Sequence, residues 1–256
     1  MRQLFISDLH LQPERPDITT GLLWFLEHIA PGSDELYLLG DIFEYWIGDD
    51  APLPGLEQVF AGLKKVSADG TRLYFQHGNR DFLVGNAFTD AIGAELLPEA
   101  YLIDAADGIK SLLMHGDQLC TDDVEYQAFR KMVRHPAWQQ TVLSKTVEQR
   151  IAMAQRLRSE SQMQGSQKAD EIMDVNTDAV LETLRSHDVG RLIHGHTHRP
   201  AIHQLDQGKA PAQRIVLGDW NKQGWYIEIT ESGLDLRSFS LSSSMNPINS
   251  NPISRH

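Results

Sequence analysis

A single cysteine, Cys120, occurs among the 256 residues, which excludes an intramolecular disulfide and points to a reducing compartment. No run approaches the roughly 18 apolar residues of a membrane-spanning helix. The first residues open directly on a strand pattern and lack the basic, apolar and small-residue regions of a secretory signal. Positive charge is scarce, with 23 Lys and Arg against 35 Asp and Glu and a net charge of −12. A generic nucleic-acid surface is therefore not expected, because phosphate binding calls for a positive excess. Internal repeats are missing as well. These absences leave a cytosolic protein, or one seated on a membrane without crossing it.

What is present is enough for one substantial core: 41% of the residues are hydrophobic, and the length suits one domain carrying an insertion. The expected domain is 1–240, with a helical insertion at about 122–187 and a disordered Ser/Asn/Pro-rich tail at 241–256. Helical spacing of apolar residues marks Thr20 to Ile29, Leu56 to Val66 and Phe82 to Ile92. Strand patterns lie at Leu36 to Leu39, Arg72 to Phe75, Tyr101 to Ile103, Ile109 to Met114, Arg191 to Ile193, Arg214 to Leu217, Trp225 to Ile229 and Leu234 to Phe239. Alternation at Trp225 to Ile229 suggests an antiparallel, half-buried strand. From Asp122 to His187 the pattern is helical, with breaks at His135-Pro136 and at the polar stretch Ser159 to Gln167. Between Tyr126 and Arg158 there are seven Lys/Arg against one acid, Glu148. That block is either a solvated helix face or a surface for phosphates and anionic headgroups.

The chemistry concentrates where strands stop. The first strand pattern reads Leu4-Phe5-Ile6-Ser7-Asp8-Leu9-His10, and residues two apart in a strand share a face. Asp8 and His10 are thus expected to point at a common spot. Four later strands repeat the design, ending in Gly40-Asp41, Gly78-Asn79-Arg80, His115-Gly116-Asp117 and Gly195-His196-Thr197-His198. The recurring glycine lets backbones approach closely and allows the turn that aims the next side chain. In an open α/β sheet such ends line one crevice. Asp, Asn and His without thiolates form a mixed oxygen and nitrogen set suited to Mn²⁺, Fe or Zn²⁺. The seven donors exceed one tetrahedral ion and suit two ions sharing a carboxylate. Any one member has a plainer reading, Asp117 as a helix cap or Asn79 as a turn residue. All five strand ends together do not.

These runs resemble the calcineurin-like metallophosphoesterases, whose pattern D-x-H, G-D, G-N-[HR]-[DE], H and G-H-x-H is complete and in order from Asp8 to His198. The resemblance implies an α/β fold: a two-sheet β-sandwich flanked by helices (α-β-β-α), with the helical insertion forming a lid. It implies one divalent ion on Asp8, His10, Asp41 and His198 and a second on Asp41, Asn79, His115 and His196. Asp41 would bridge them, and Mn²⁺ is the expected metal.

Arg80 stands where many phosphatases of this superfamily carry His. With Phe5 to His10, Gly40 to Glu44, His77 to Asp81, His115 to Asp117 and Ile172-Met173-Asp174-Val175-Asn176, it makes the chain similar to the UDP-2,3-diacylglucosamine pyrophosphatases of lipid A biosynthesis, over about Met1 to Phe239. That likeness implies hydrolysis of UDP-2,3-diacylglucosamine to 2,3-diacylglucosamine 1-phosphate (lipid X) and UMP, with water attacking the α phosphorus. Asn79 and Arg80 would be catalytic, and Asn79, Arg80, Asp123, Ser161, Lys168 and His196 would contact substrate. Gly165 replaces a usual Asn contact, which puts one headgroup hydrogen bond, but not the chemistry, in question. The implied setting is a monomer, peripheral on the cytoplasmic face of the inner membrane, with no nucleic-acid partner. The rival readings are another dimetal phosphoesterase (a nucleotide or protein phosphatase), a nuclease using the basic insertion, and a scaffold without catalysis.

Overall fold

The structure, a computed structural model, describes residues 1–165, 174–206 and 211–241, with the backbone alone at 160–165. Strands β1 (Arg2–Ile6), β2 (Glu35–Leu39), β3 (Arg72–Gln76) and β4 (Ala94–Leu96) run parallel. The sheet they form is extended by the later strands β10 (Gln223–Thr230) and β11 (Gly233–Ser240), in the order β11-β10-β1-β2-β3-β4. A second sheet has the order β5-β6-β7-β9-β8 and comprises β5 (Tyr101–Asp104), β6 (Lys110–Leu113), β7 (Arg191–His194), β8 (Ala201–Asp206) and β9 (Pro211–Val216). β1, β2 and β3 are covered on both faces, which is why they read as largely continuous apolar runs. β10 pairs antiparallel with both β1 and β11.

Alternation along β1 shows how the layers form. Leu4 and Ile6 face Leu22 and Phe25 of α1 (Pro16–His28) and Val59 and Leu63 of α2 (Glu57–Ala68). Phe5 points the other way, into a core shared with Leu113, Ile193 and Ile215 of the second sheet. The outer face of that sheet presents Leu112 and Leu192 to Val180 and Leu184 of α7 (Thr177–Ser186). The result is the expected α-β-β-α sandwich.

Several boundaries differ from expectation. β4 is only Ala94-Glu95-Leu96, too short to show a period, and β8 is a partly exposed strand whose Ala-Ile-His-Gln-Leu-Asp sequence alternates weakly. α3 spans Asn86–Ile92 rather than starting at Phe82. The Asp49 carboxylate accepts the backbone N–H groups of Gly85 and Phe88 at 2.9 and 3.0 Å and so sets the helix start. In the insertion, α4 (Val124–Val133) and α5 (Pro136–Leu143) meet at the expected His135-Pro136 break. α6 (Val147–Gly165), however, continues into the polar stretch that begins at Ser159, as far as Gly165. The expected tail at 241–256 is corrected at its first residue: Leu241 is buried against Gly21 and the core. Residues 242–256 lie outside the described residues.

Candidate metal centre

The ligand-bearing residues follow the C-terminal ends of β1, β2, β3, β6 and β7. β1 stops at Ile6, so Asp8 and His10 do not converge through strand periodicity, contrary to expectation. They converge because both adopt left-handed backbone, with φ of 56° and 52°, while Leu9 between them is buried. Asp41, His196 and His198 share that conformation at 51°, 66° and 56°. Among the described residues Asp188 is the one other non-glycine with positive φ. Such backbone costs about 1–3 kcal/mol per residue and persists only where its surroundings over-determine it.

The loops lace together to meet that cost. Asp8 N–H donates to Gly40 O at 3.1 Å and His10 N–H to Asp41 O at 3.0 Å. His196 N–H donates to the Asp8 carboxylate at 3.0 Å. Side chains then gather in two groups. His198 Nε2 lies 3.3 Å from Asp8 Oδ1 and 3.3 Å from His10 Nε2, which is 4.0 Å from Asp41 Oδ2. On the other side, Asp41 Oδ1 lies 3.6 Å from His115 Nε2, and Asn79 Oδ1 lies 2.9 Å from His115 Nε2 and 2.8 Å from His196 Nδ1. The two oxygens of Asp41 thus face different groups.

This arrangement suits divalent cations. Asp8 and Asp41 are 0% and 2% exposed, and among the described residues their ion-pair partners are histidines. Buried carboxylates whose ion-pair partners are titratable imidazoles, with an amide oxygen and no thiolate, match the donors preferred by Mn²⁺, Fe and Zn²⁺. Burial alone would raise the Asp8 carboxyl, but the hydrogen bond and charge of His198, with His115 and His10, hold it well below the usual carboxylate range. Burial would lower His198, yet the Asp8 hydrogen bond and charge carry it up to about 9. Burial and then the His115 charge push His196 down to about 4, leaving a neutral imidazole with a free lone pair.

Asp81, which the sequence reading did not single out, braces the whole arrangement. Its buried carboxylate accepts N–H groups from Gly78 at 2.7 Å, Ile42 at 2.8 Å and Asp41 at 3.3 Å, tying the β2 loop to the β3 loop. Burial and the Asp41 charge push it up to about 6. Its place in Asn79-Arg80-Asp81 was the available signal. Asp117, also fully buried, accepts from Tyr126 Oη and Arg130 Nε at 2.8 Å each. The Tyr126 ring stacks on His196 with centroids 6.0 Å apart.

Beside the centre a cleft of about 210 Å³ lies between the core and α4–α6, lined by Trp46, Phe82, Phe129, Trp138 and Met153 among others. Asn79 and Arg80 line the same cleft, and Arg80 Nε is buried without a hydrogen-bond partner among the described residues. Asp123 caps α4, accepting from Tyr126 N–H at 3.1 Å. The Ser161 side chain and all of Lys168 lie outside the described residues. Among the described residues no helix is long and apolar enough to cross a membrane.

Residues 1–200 match the calcineurin-like phosphoesterase family. The chain is 50% identical over 232 residues to the UDP-2,3-diacylglucosamine hydrolase of Marinobacter nauticus, covering 91% of this chain and 95% of that one. It is 53% identical over 234 residues to the protein of that name from Chromohalobacter salexigens, covering 90% and 94%. With the one from Pectobacterium carotovorum it shares 47% over 239 residues, covering 93% and 99%.

Proposed function

Since the chain belongs to the calcineurin-like phosphoesterases, we propose that it hydrolyses the pyrophosphate bond of UDP-2,3-diacylglucosamine. The observation that carries this reading is the apolar, aromatic-lined cleft opening beside a cluster of metal-type donors, with Asn79 and Arg80 lining it. A phosphoryl group and long acyl chains are the two halves of a substrate that such a surface fits. The names of the relatives support the same substrate.

In this reading Asp8, His10, Asp41 and His198 hold one divalent ion and Asp41, Asn79, His115 and His196 the other, with Mn²⁺ as the metal. When bound, the pair acidifies water and offsets phosphoryl charge. Water adds its oxygen to the uridine-side phosphorus, the bond from that phosphorus to the bridging oxygen breaks, the water gives up a proton to solvent, and UMP and 2,3-diacylglucosamine 1-phosphate, which keeps the bridging oxygen, leave. Arg80, whose planar guanidinium offers a rigid fork of N–H donors, steadies the charge growing on the phosphoryl oxygens. Asn79 orients the same group. The sugar phosphate is a good enough leaving group to need no protein acid. Asp123, Ser161, Lys168 and His196 would hold the headgroup, and α4–α6 would close as a lid over the acyl chains. The basic, apolar faces of those helices would dock on the anionic cytoplasmic face of the inner membrane.

Turnover of UDP-diacylglucosamine is expected to exceed that of p-nitrophenyl phosphate and diadenosine polyphosphates; preference for a water-soluble ester would defeat the lipid assignment. Phosphorus NMR of products formed in ¹⁸O-water should place the label in UMP. Label in the sugar phosphate would reverse the direction of attack.

A further inference from the structure

Glu44 belongs to neither ligand group, yet it is only 7% exposed and meets two parts of the molecule at once. Its backbone N–H donates to Leu11 O at 3.1 Å, and Leu11 and Phe43 form a parallel bridge. The segment carrying Glu44 is therefore laced to the segment carrying His10. Its Oε2 lies 3.2 Å from His10 Nδ1, and its Oε1 pairs with Arg158 Nε of α6 at 3.0 Å. His10 Nδ1 and Arg158 Nε are both buried and make no hydrogen bond among the described residues, so what each meets in Glu44 is a carboxylate oxygen at ion-pair distance. The opposite ring nitrogen, Nε2, faces His198 and Asp41. A carboxylate beside one ring nitrogen keeps the proton there, leaves the lone pair on the other and fixes the plane of the ring.

We propose that Glu44 is a positioning residue for the dimetal centre, orienting His10 and joining it through Arg158 to the helix that walls the substrate cleft. The inference rests on the two-ion reading above and adds a route from cleft to ligand. Glu44 accepts the proton of His10 Nδ1 and turns Nε2 toward Asp41. Arg158 balances a carboxylate that is only 7% exposed, where uncompensated charge is costly. Arg158 also lines the cleft, so a ligand that displaces it acts on His10 through one carboxylate.

Equilibrium dialysis of the full chain against Mn²⁺, with bound metal counted, tests this alongside melting temperatures in EDTA. The unaltered protein is expected to bind two ions. Glu44→Ala is expected to weaken one of them by about 10–100-fold, the usual cost of losing such a partner, and to leave the other in place. Glu44→Gln, which keeps an acceptor oxygen, should recover much of the loss. Arg158→Ala should weaken the same ion less, and the double variant should bind no more weakly than Glu44→Ala alone, because the route passes through Glu44. Melting in EDTA should barely move. Two ions bound with unaltered affinity by Glu44→Ala would overturn the inference while leaving the two-ion reading intact. Equal weakening of both ions with a lowered melting temperature in EDTA would make Glu44 a general prop and overturn it too. An unaltered protein that binds no ion would take down both readings. If Glu44→Ala does not fold, Glu44→Gln and Arg158→Ala carry the comparison.

Discussion

Gly78 and Gly195 show how little room the centre has. A Cβ on Gly78 would stand 2.1 Å from Asp41 Oδ1 and 2.2 Å from Asp41 N, and one on Gly195 would stand 2.1 Å from Asp8 Oδ2. Gly78→Ala is expected to cost about 1–3 kcal/mol through overpacking and to push the Asp41 carboxylate out of place. Bound metal should fall while the circular dichroism spectrum holds; unaltered metal content would show that the loop yields instead. His198 supplies a second expectation at this scale. Its pKa of about 9 lies above the ordinary value of about 6.5. In the metal-free protein its contribution to stability is complete below about pH 6.5 and is lost as pH rises through 9. Asp8, held low, contributes above about pH 4 and loses its share as pH falls. A cation on His198 Nε2 displaces the proton, so Mn²⁺ affinity should climb by up to about tenfold per pH unit between those limits. Calorimetry in two buffers of different ionisation heat should detect one proton released at this site at pH 7.5. No release would remove His198 from the ligand set.

At the scale of elements, the parallel strands were readable because burial on both faces demands unbroken apolar runs, as in Leu36 to Leu39. The start of α3 was not, since it depends on Asp49, far away in sequence. The path of α6 was hidden for the same reason. Arg150, 3% exposed, donates to Ile47 O at 2.6 Å and to Asp50 at 2.7 and 2.5 Å, pinning the helix to the aromatic loop below the cleft. Hydrogen bonds from a charged group are worth about 1.5–3 kcal/mol each. Arg150→Ala should therefore raise KM for the diacylated substrate about tenfold or more, with little change for p-nitrophenyl phosphate. Equal effects on both substrates would mean that α6 does not hold acyl chains.

At the scale of the whole molecule, the core between the sheets holds the two halves of the centre together. Asp8, Asp41 and Asn79 hang from one sheet and His115, His196 and His198 from the other. Ile215 on β9 is fully buried between them, next to Ile193 of β7, and carries no donor. Ile215→Ala is expected to lower unfolding free energy by about 2–5 kcal/mol in urea titrations while the folded protein still binds two ions. Loss of an ion without loss of stability would show that β9 sets ligand positions directly.

The order of residues alone determined which side chains could be ligands and that they sit where strands end, because ligand chemistry and apolar patterning are both local properties. The layered fold followed from the family resemblance that these runs carry, while unbroken apolar runs marked the buried parallel strands. Only the tertiary structure decided how the ligands meet. Asp8 and His10 converge through left-handed backbone instead of strand periodicity, Asp81 binds two loops at once, and Glu44 stands between His10 and Arg158. Each depends on segments distant in sequence being pressed together until a strained conformation becomes the least costly one, and no local pattern encodes that pressure.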